Sequence, residues 1–341
     1  MSKLLQAIAG APHGGAENFF TRLSIGLEEA GQDQTVVIRK DDERVSVLRD
    51  GGVEPTQLSF GGVFDLVTTS KLRHIINSYQ PDIVLTWMNR ATSKMPTGPF
   101  IHAARLGGYY DLKYYKKCDH LIGNTPKIVD YLVKNGWPVE RSHYIPNFVD
   151  ECPGKPINRS VFDTPERSPL IIALGRLHPN KAFDILLKAM VEIPEAFLWL
   201  AGDGNQLSTL TLLAQEIGVS DRVRFLGWRS DVRDLIATAD ALVCSSRHEP
   251  LGNVIIEGWA QGKPVIATES DGPVHLIEHG ENGLLSPIDK PSLLASSIKA
   301  VLFDPQIAQA LALSGQAAFE TKFAKSKVIS QYKDFFLEIT A

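Results

Sequence analysis

Short apolar segments alternate with amphipathic helical segments along the chain, most regularly in its second half. The apolar segments there are Leu170–Leu174, Ala196–Leu200, Val223–Leu226, Ala241–Cys244 and Pro264–Thr268. The segments between them carry apolar residues at helical spacing. Continuously apolar strands that alternate with helices are typical of parallel sheets covered on both faces. The pattern therefore predicts an α/β fold.

The alternation is interrupted around Asn147–Ser168, a stretch that contains Pro153, Pro156 and Pro165 and shows no clear periodicity. Such a stretch is typical of an interdomain linker. A chain of 341 residues has the length of about two domains. We predict an N-terminal domain over residues 1–150, a linker over 151–168, a second domain over 169–322 and a C-terminal helix over 323–341. Two tandem α/β domains leave a cleft, which is where such folds bind ligands.

Composition excludes several classes of protein. The 35 basic and 39 acidic side chains give a net charge of −4, so no global basic field favours nucleic acid as a partner. Three cysteines, widely spaced, argue against a disulfide framework or a zinc cluster. No apolar stretch is long enough to span a bilayer, and the first residues do not resemble a signal peptide. These observations predict a cytoplasmic protein with reduced thiols.

The most informative motif is the segment His248–Glu257, which follows a predicted strand and enters a predicted helix. It places one carboxylate, Glu249, in the loop and a second, Glu257, inside the helix. Gly252 and Asn253 lie at the helix start, where unpaired backbone N–H groups can hold an anion or sugar hydroxyls. A carboxylate can accept two hydrogen bonds from a vicinal diol, which suits Glu257 to a ribose. For either glutamate alone, a solvated charge is an equally good interpretation.

With this motif the chain resembles the retaining GT4 glycosyltransferases, whose signature is two glutamates separated by seven residues and a following Gly-x-Pro-Val-Ile strand. Here the strand is Gly262–Ala267. The resemblance implies the GT-B fold, two Rossmann-like doubly wound domains facing a cleft, with the C-terminal helix returning to the N-terminal domain. It also implies that Glu257 binds the donor ribose and that Glu249 contacts the donor sugar. The backbone amides of Leu251, Gly252 and Asn253 would contact the donor sugar together with Glu249.

A second motif, Gly175–Lys181, follows the strand Leu170–Leu174. Arg176 and Lys181 at the two ends of a tight loop can converge on a diphosphate, the arginine as a fork and the lysine as a point charge. The same pattern also fits an ordinary surface loop. The family resemblance implies the functional interpretation, in which the pair stabilises the leaving nucleoside diphosphate. The sequence has no Asp-x-Asp dyad at a strand end to hold Mg²⁺, so we expect basic side chains and helix amides to take the role of the metal.

Further site residues are suggested by strand ends. The pair Gly14 and Gly15 permits close backbone approach at a helix start, and the resemblance puts it near the donor phosphate. Trp228 would either stack on the nucleobase or cap the core. His102 ends a predicted strand, Pro99–Ile101, and the resemblance implies that it lies close to the reacting sugar, although a lone histidine is more often structural. Arg105 nearby would meet phosphate or acceptor.

The segment Tyr109–Lys117 contains four tyrosines and three lysines and resembles enzymes that build bacterial lipopolysaccharide core. Aromatic rings and lysines favour an anionic membrane surface. If the segment is helical, Tyr110, Lys113, Tyr114 and Lys117 share one face. An equally good alternative is a helix whose tyrosines enter the core and whose lysines are merely solvated.

Together these features predict a metal-independent retaining glycosyltransferase without a cofactor. It would move a sugar from a nucleoside-diphosphate donor to a glycan or lipid-linked acceptor in envelope polysaccharide synthesis, in the cytoplasm or on the inner face of the membrane. Two alternatives remain open at this point. One is a sugar-nucleotide 2-epimerase on the same fold, and the other is a non-catalytic protein that binds a nucleotide sugar.

Overall fold

The computed structural model describes residues 2–12, 14–62 and 65–341. The chain divides into two compact units. The N-terminal unit comprises residues up to Phe148 together with Lys325–Ala341, and the C-terminal unit comprises Val149–Ala324.

The N-terminal unit is built on a parallel sheet of seven strands, in the order β3-β2-β1-β4-β5-β6-β7. Its strands are β1 (Leu4–Ile8), β2 (Gln34–Arg39), β3 (Pro55–Leu58), β4 (Ile83–Trp87), β5 (Ile101–Leu106), β6 (His120–Gly123) and β7 (Ser142–Tyr144). Its connecting helices are α1 (Gly15–Glu29), α2 (Asp42–Asp50), α3 (Leu66–Tyr79), α4 (Met88–Lys94) and α5 (Pro126–Lys134). The strand order reverses between β1 and β4, so the sheet is doubly wound, and ligands of such sheets bind beyond the carboxyl ends of the strands.

The C-terminal unit has a parallel sheet of six strands, in the order β10-β9-β8-β11-β12-β13. Its strands are β8 (Leu170–Leu174), β9 (Phe197–Ala201), β10 (Val223–Gly227), β11 (Ala241–Cys244), β12 (Val265–Thr268) and β13 (Leu284–Ser286). Its helices are α6 (Phe183–Met190), α7 (Leu207–Glu216), α8 (Val232–Thr238), α9 (Asn253–Ala260), α10 (Pro273–Leu276), α11 (Pro291–Phe303) and α12 (Pro305–Lys322). Both faces of the sheet are covered by buried apolar side chains, as the unbroken apolar strands predict. The predicted α/β class with two doubly wound sheets is confirmed.

The last helix, α13 (Lys325–Thr340), belongs to the N-terminal unit although it ends the chain. Its buried residues Val328, Tyr332 and Phe336 join the core that α1 and the sheet also form. At its start, Lys325 forms an ion pair with Glu29 at the end of α1. The helix thereby covers part of the sheet that residues before Phe148 build.

Candidate active site

The predicted carboxylate and lysine of the C-terminal unit meet. The Lys181 ammonium forms an ion pair with the Glu249 carboxylate, and both side chains are mostly buried, with 22% and 13% of their surface exposed. The Ser246 hydroxyl donates a second hydrogen bond to the same carboxylate, at 3.2 Å. Burial by itself lowers the pKa of Lys181, but the charges around it, chiefly that of Glu249, raise it overall. The lysine is therefore cationic at neutral pH.

Two neighbouring strands bring this pair together. Lys181 ends the turn after β8, and Glu249 lies in the loop after β11. The two strands are adjacent and parallel, so their carboxyl ends lie at the same edge of the sheet. That edge is where parallel α/β sheets bind ligands.

The second predicted glutamate also lies near the lysine. Glu257 is half-buried on α9, and its charge contributes to the raised pKa of Lys181. Gly252 precedes the helix with a φ of 91°, a left-handed conformation that suits glycine. No side chain caps this helix start, as a site built from the amides of Leu251, Gly252 and Asn253 requires. The structure thus brings Lys181, Glu249 and Glu257 into one cluster.

A glycine in the next loop supports the Glu249 loop. The backbone N–H of Gly272 donates to the Glu249 carbonyl at 2.6 Å, and a Cβ at position 272 would clash with the carbonyl of Leu251. His275, three residues further on, is exposed.

The loop after β8 leaves the predicted arginine accessible. Arg176 is exposed and makes no hydrogen bond or ion pair with the described residues. The loop backbone is bound to the segment after β9, because the N–H of Leu177 donates to the Asp203 carbonyl at 2.9 Å. A Cβ on Gly202 would clash with the carbonyl of Gly175. The Gly-x-Gly pair after β9 therefore shapes this loop by close packing.

The predicted tryptophan follows β10 and is 61% exposed. Of the two interpretations of Trp228, the cap on the core is therefore wrong. The stacking interpretation stays a prediction.

In the N-terminal unit the predicted pair of glycines begins α1. Gly14 is the N-cap residue of α1, and Gly15, the first residue of the helix, is exposed. The preceding loop is held by two buried charges that the sequence analysis did not single out. Glu17 accepts from the Ala11 N–H at 2.8 Å, and Arg44 donates to the Ala11 and Pro12 carbonyls at 2.9 Å each. A cavity of about 220 Å³ opens beside the loop, with Asn18, Thr21, Arg22, Asp41 and Arg44 among its lining residues.

The structure corrects the placement of His102. The strand runs from Ile101 to Leu106, not from Pro99 to Ile101, so His102 is its second residue and does not lie at its carboxyl end. The side chain is 3% exposed, and its Nε2 shares a hydrogen bond of 2.9 Å with the Thr86 hydroxyl. Burial lowers the pKa of His102 to about 4. A neutral, enclosed imidazole packs the sheet, and the predicted contact with the donor is not supported.

Arg105 also differs from its prediction as an acceptor contact. It is 2% exposed, and its guanidinium lies over the rings of Phe19 and Trp87, with centroid distances of 4.5 and 4.9 Å. Its Nε–H donates to the Tyr332 hydroxyl at 2.6 Å, and a terminal N–H donates to the Asn147 amide oxygen. The arginine therefore has an internal role, joining α13 to the sheet.

The aromatic and basic segment after β5 forms no α-helix. A single 3₁₀ turn covers Leu112–Tyr114. Tyr110, Lys113, Tyr114 and Lys117 therefore do not share one face of an α-helix. Tyr109, Lys113, Tyr114, Lys116 and Lys117 are exposed, Tyr110 is half-buried and Tyr115 is buried. Lys113 pairs with Asp111 at 2.7 Å.

Metal-binding clusters and membrane-spanning helices are both absent from the described residues. Among residues 2–12, 14–62 and 65–341, no three or more His, Cys, Asp or Glu side chains are grouped so that they could share a metal ion. In the same described part of the chain, none of the helices combines the length and the apolar character needed to cross a bilayer.

Two family models match this chain. Residues 13–151 match the model described as Glycosyltransferase Family 4, and residues 154–317 match that of Glycosyl transferases group 1. Two lipopolysaccharide core biosynthesis glycosyltransferases of Rhizobium meliloti, LpsE and LpsD, are 35% and 32% identical over 94% and 95% of both chains. The chain belongs to this family and is a glycosyltransferase. The comparisons do not favour the epimerase alternative.

The fold is shared with solved structures of low sequence identity. The Anabaena protein Alr3699/HepE, crystallised with UDP and glucose, covers 99% of this chain with a TM-score of 0.86 and 21% identity. The lipopolysaccharide outer core galactosyltransferase WaaB covers 99% with a TM-score of 0.74 and 17% identity. These likenesses confirm the predicted GT-B fold.

Proposed function

We propose that this glycosyltransferase moves a sugar from a nucleoside-diphosphate donor to a glycan or lipid-linked acceptor, with retention of anomeric configuration. The proposal rests on one observation above all. A mostly buried Lys181–Glu249 pair, with Glu257 close by, lies at the carboxyl ends of two adjacent parallel strands. A cation paired with one carboxylate and near a second, in that position, suits a ligand that is anionic at one end and carries hydroxyls at the other.

Each residue of this cluster has a chemical role in the proposal. The bond between the anomeric carbon and the diphosphate oxygen breaks, and its electron pair stays on the departing diphosphate. Lys181 and the exposed Arg176 stabilise that growing negative charge, which is where a preorganised site gains most of its rate. A lysine ammonium has three N–H donors, so Lys181 can keep Glu249 as a partner and still donate to a diphosphate.

The carboxylates bind hydroxyls. Glu257 accepts from the ribose diol of the donor, and Glu249, held by Lys181 and Ser246, lies against the donor sugar together with the amides of Leu251, Gly252 and Asn253. Metal ions often neutralise a leaving diphosphate. Here the basic side chains take that role, and the proposed reaction needs no metal and no cofactor.

The proposed pathway is the synthesis of lipopolysaccharide core or another envelope polysaccharide. The names of the two Rhizobium relatives support it, as does the segment after β5. In that segment Tyr109 and Tyr114 are exposed beside Lys113, Lys116 and Lys117. We propose that these side chains meet the anionic cytoplasmic surface of the membrane, where a lipid-linked acceptor would lie.

A donor screen tests the proposal. Thermal unfolding is followed with GDP-mannose, UDP-glucose, UDP-galactose and UDP-N-acetylglucosamine, with free UDP and GDP alongside. A donor present at about 100 times its Kd should stabilise the folded state by about 2.7 kcal/mol. At the same donor concentration, the stabilisation should fall to about 0.4–1.4 kcal/mol in Glu257→Ala, and it should persist in full in the control Glu216→Ala, an exposed residue of α7. A protein that responds to none of the nucleotides would contradict the proposal. A protein that binds a donor but shows neither transfer nor slow donor hydrolysis would also contradict it, and this result would restore the non-catalytic alternative.

A further inference from the structure

Arg247 lies two residues before Glu249 and makes an unusually complete set of contacts. Its Nε–H donates to Asp289 at 2.6 Å, and its two terminal nitrogens donate to the two oxygens of Asp184 at 2.9 and 2.8 Å. A fourth hydrogen bond, of 3.0 Å, goes to the Pro179 carbonyl. The planar fork of a guanidinium fits a carboxylate in this two-bond manner, and a lysine cannot reproduce it.

These contacts fasten the Glu249 loop to the turn that carries Lys181. Three successive carbonyls of the turn accept hydrogen bonds from residues 245–248. The Pro179 carbonyl accepts from the Arg247 side chain, and the Asn180 carbonyl accepts from the backbone N–H groups of Arg247 and His248, at 2.7 and 3.2 Å. The Lys181 carbonyl accepts from the Ser245 hydroxyl at 2.9 Å.

The side-chain contacts of Arg247 extend this connection to two further elements. Asp184 lies in the first turn of α6, three residues after Lys181, and Asp289 follows β13. Between Lys181 and α6, Ala182 has a φ of 50°, a conformation that costs energy for a residue with a Cβ. A turn with such a residue keeps its shape only where its surroundings hold it, and the arginine supplies bonds on both sides of Ala182.

We propose that Arg247 is a positioning residue that sets the Lys181 ammonium against the Glu249 carboxylate. It acts through the backbone of the turn and through Asp184, and it does not touch the donor. The inference rests on the proposed function in one respect, since it is the proposed donor contacts of Lys181 and Glu249 that give the positioning its purpose. A displacement of about 1 Å in a catalytic group can cost about a hundredfold in rate.

The same unit offers a matched control in Arg159. Its guanidinium also joins a carboxylate, Asp240, and several carbonyls, among them those of Ser168 and Thr238 at 2.7 and 2.9 Å. Asp240 precedes β11 and Ser168 precedes β8, so Arg159 connects the two strands at their amino ends. Arg247 connects the same two strands at their carboxyl ends. Loss of either arginine should lower the stability of the unit, but only Arg247 is next to the Lys181–Glu249 pair.

The test measures Lys181 directly and needs no donor. The folded protein is acetylated briefly at pH 8, then unfolded and acetylated to completion with a heavy isotope, and the ratio at each lysine is read by mass spectrometry. The rate at Lys181 is compared with that at the exposed Lys188 of α6. Wild type, Arg247→Gln, Arg159→Gln and the reference Glu249→Gln, which removes the ion pair, are treated alike.

We expect the Lys181 rate to rise severalfold in Arg247→Gln, towards the level of Glu249→Gln, and to stay at the wild-type level in Arg159→Gln. Each unit by which the pKa of the lysine falls increases its reactive free amine by about tenfold. An unchanged Lys181 rate in a folded Arg247→Gln would overturn the proposal, and so would an equal rise in Arg159→Gln.

Two milder variants cover the case in which Arg247→Gln does not fold. Arg247→Lys keeps the charge but loses the two-bond contact with Asp184, and Asp289→Asn weakens one bond only. Both should raise the Lys181 rate by less than Glu249→Gln does, and wild-type rates in both would overturn the proposal. Failure of the donor screen would count against the proposed function alone, because acetylation reports the pair in the unliganded protein.

Discussion

The Lys181 ammonium and the Glu249 carboxylate lie 68 positions apart in the chain and form a direct ion pair. The lysine ends the turn after β8, and the glutamate lies in the loop after β11. Because β8 and β11 are neighbours, a separation along the sequence becomes a contact at one edge of the sheet. This contact is the centre of the proposed donor site.

Replacing Glu257 by alanine should weaken donor binding. The variant loses hydrogen bonds between a charged carboxylate and the ribose diol, a loss of about 1.5–3 kcal/mol, which corresponds to about one to two powers of ten in Kd. Titration calorimetry with the donor from the screen measures this, with Glu216→Ala as the control. Wild-type affinity in a folded Glu257→Ala variant would remove Glu257 from the site.

Arg176 and Lys181 should both affect turnover but should differ in their effect on folding. If they stabilise the leaving diphosphate, alanine at either position lowers kcat more than donor affinity. Arg176 is exposed, so Arg176→Ala should leave the free energy of unfolding unchanged. Lys181→Ala leaves the Glu249 carboxylate unpaired and should lower it by about 1–3 kcal/mol.

Steady-state kinetics and urea unfolding of the two variants measure the two effects separately, with Lys188→Ala as the control for α6. Wild-type turnover in both variants would mean that the diphosphate is held by other groups.

The buried His102 should make the N-terminal unit sensitive to acid. Burial lowers the pKa of His102 from 6.5 to about 4 in the folded state, so the unfolded state binds the proton first. The stability that the neutral imidazole provides is complete above pH ~6.5 and is lost as the pH falls towards 4, by about 3 kcal/mol in total.

Unfolding measured between pH 7 and 4 should therefore show a smaller loss of stability in His102→Gln than in wild type. The exposed His74→Gln of α3 should follow wild type. Parallel curves for wild type and His102→Gln would contradict the burial seen here.

Activity should survive the removal of divalent metal ions. The proposed site places Arg176 and Lys181 where a metal would otherwise neutralise the diphosphate. Transfer or donor hydrolysis is measured after dialysis against EDTA, and a second sample receives Mg²⁺ afterwards. Loss of activity with EDTA and its recovery with Mg²⁺ would overturn metal independence.

The exposed lysines after β5 should control binding to anionic membranes. Each lysine near such a surface contributes about 1 kcal/mol, so charge reversal of Lys113, Lys116 and Lys117 should abolish sedimentation with phosphatidylglycerol vesicles. Raising the salt concentration should release the wild-type protein, because salt screens the attraction.

A control variant reverses the charge of three exposed lysines of the C-terminal unit, Lys188, Lys290 and Lys322. This control should still sediment with the phosphatidylglycerol vesicles. Equal binding to neutral and anionic vesicles, or to neither, would leave the segment after β5 as ordinary surface.

The amino-acid sequence was sufficient for the class of fold and for naming Lys181, Glu249 and Glu257 as candidate site residues, but not for the contact between the first two. Unbroken apolar strands can be stable only where helices cover both faces of a sheet, so the pattern from Leu170 to Thr268 predicts parallel sheets without further information. Glycines, a lysine and two glutamates stand in the segments that follow such strands, and these residue types indicate a ligand site around Lys181 and Glu249. Local chemistry and the common edge of a parallel sheet determine these features together.

The sequence was a poor guide in the strand β5, where a histidine and an arginine interrupt the apolar pattern. Their polar character suggested a site, yet both are enclosed. His102 is satisfied by Thr86 on the neighbouring strand, and Arg105 by Tyr332, 227 positions further along the chain. A buried charge is tolerated only when it is paired and hydrogen-bonded, and no local pattern reveals a partner at that distance.

The sequence by itself therefore determined which segments form strands and helices over most of the chain and which candidate site residues follow the carboxyl ends of the strands in the second sheet. The tertiary structure alone decided which polar residues are accessible and which are internal. It placed α13 on the N-terminal unit, enclosed Arg105 and His102, left Arg176 exposed and joined Lys181 to Glu249. The physical reason is that burial and pairing depend on neighbours brought together by strand order, and strand order is a property of the whole folded chain.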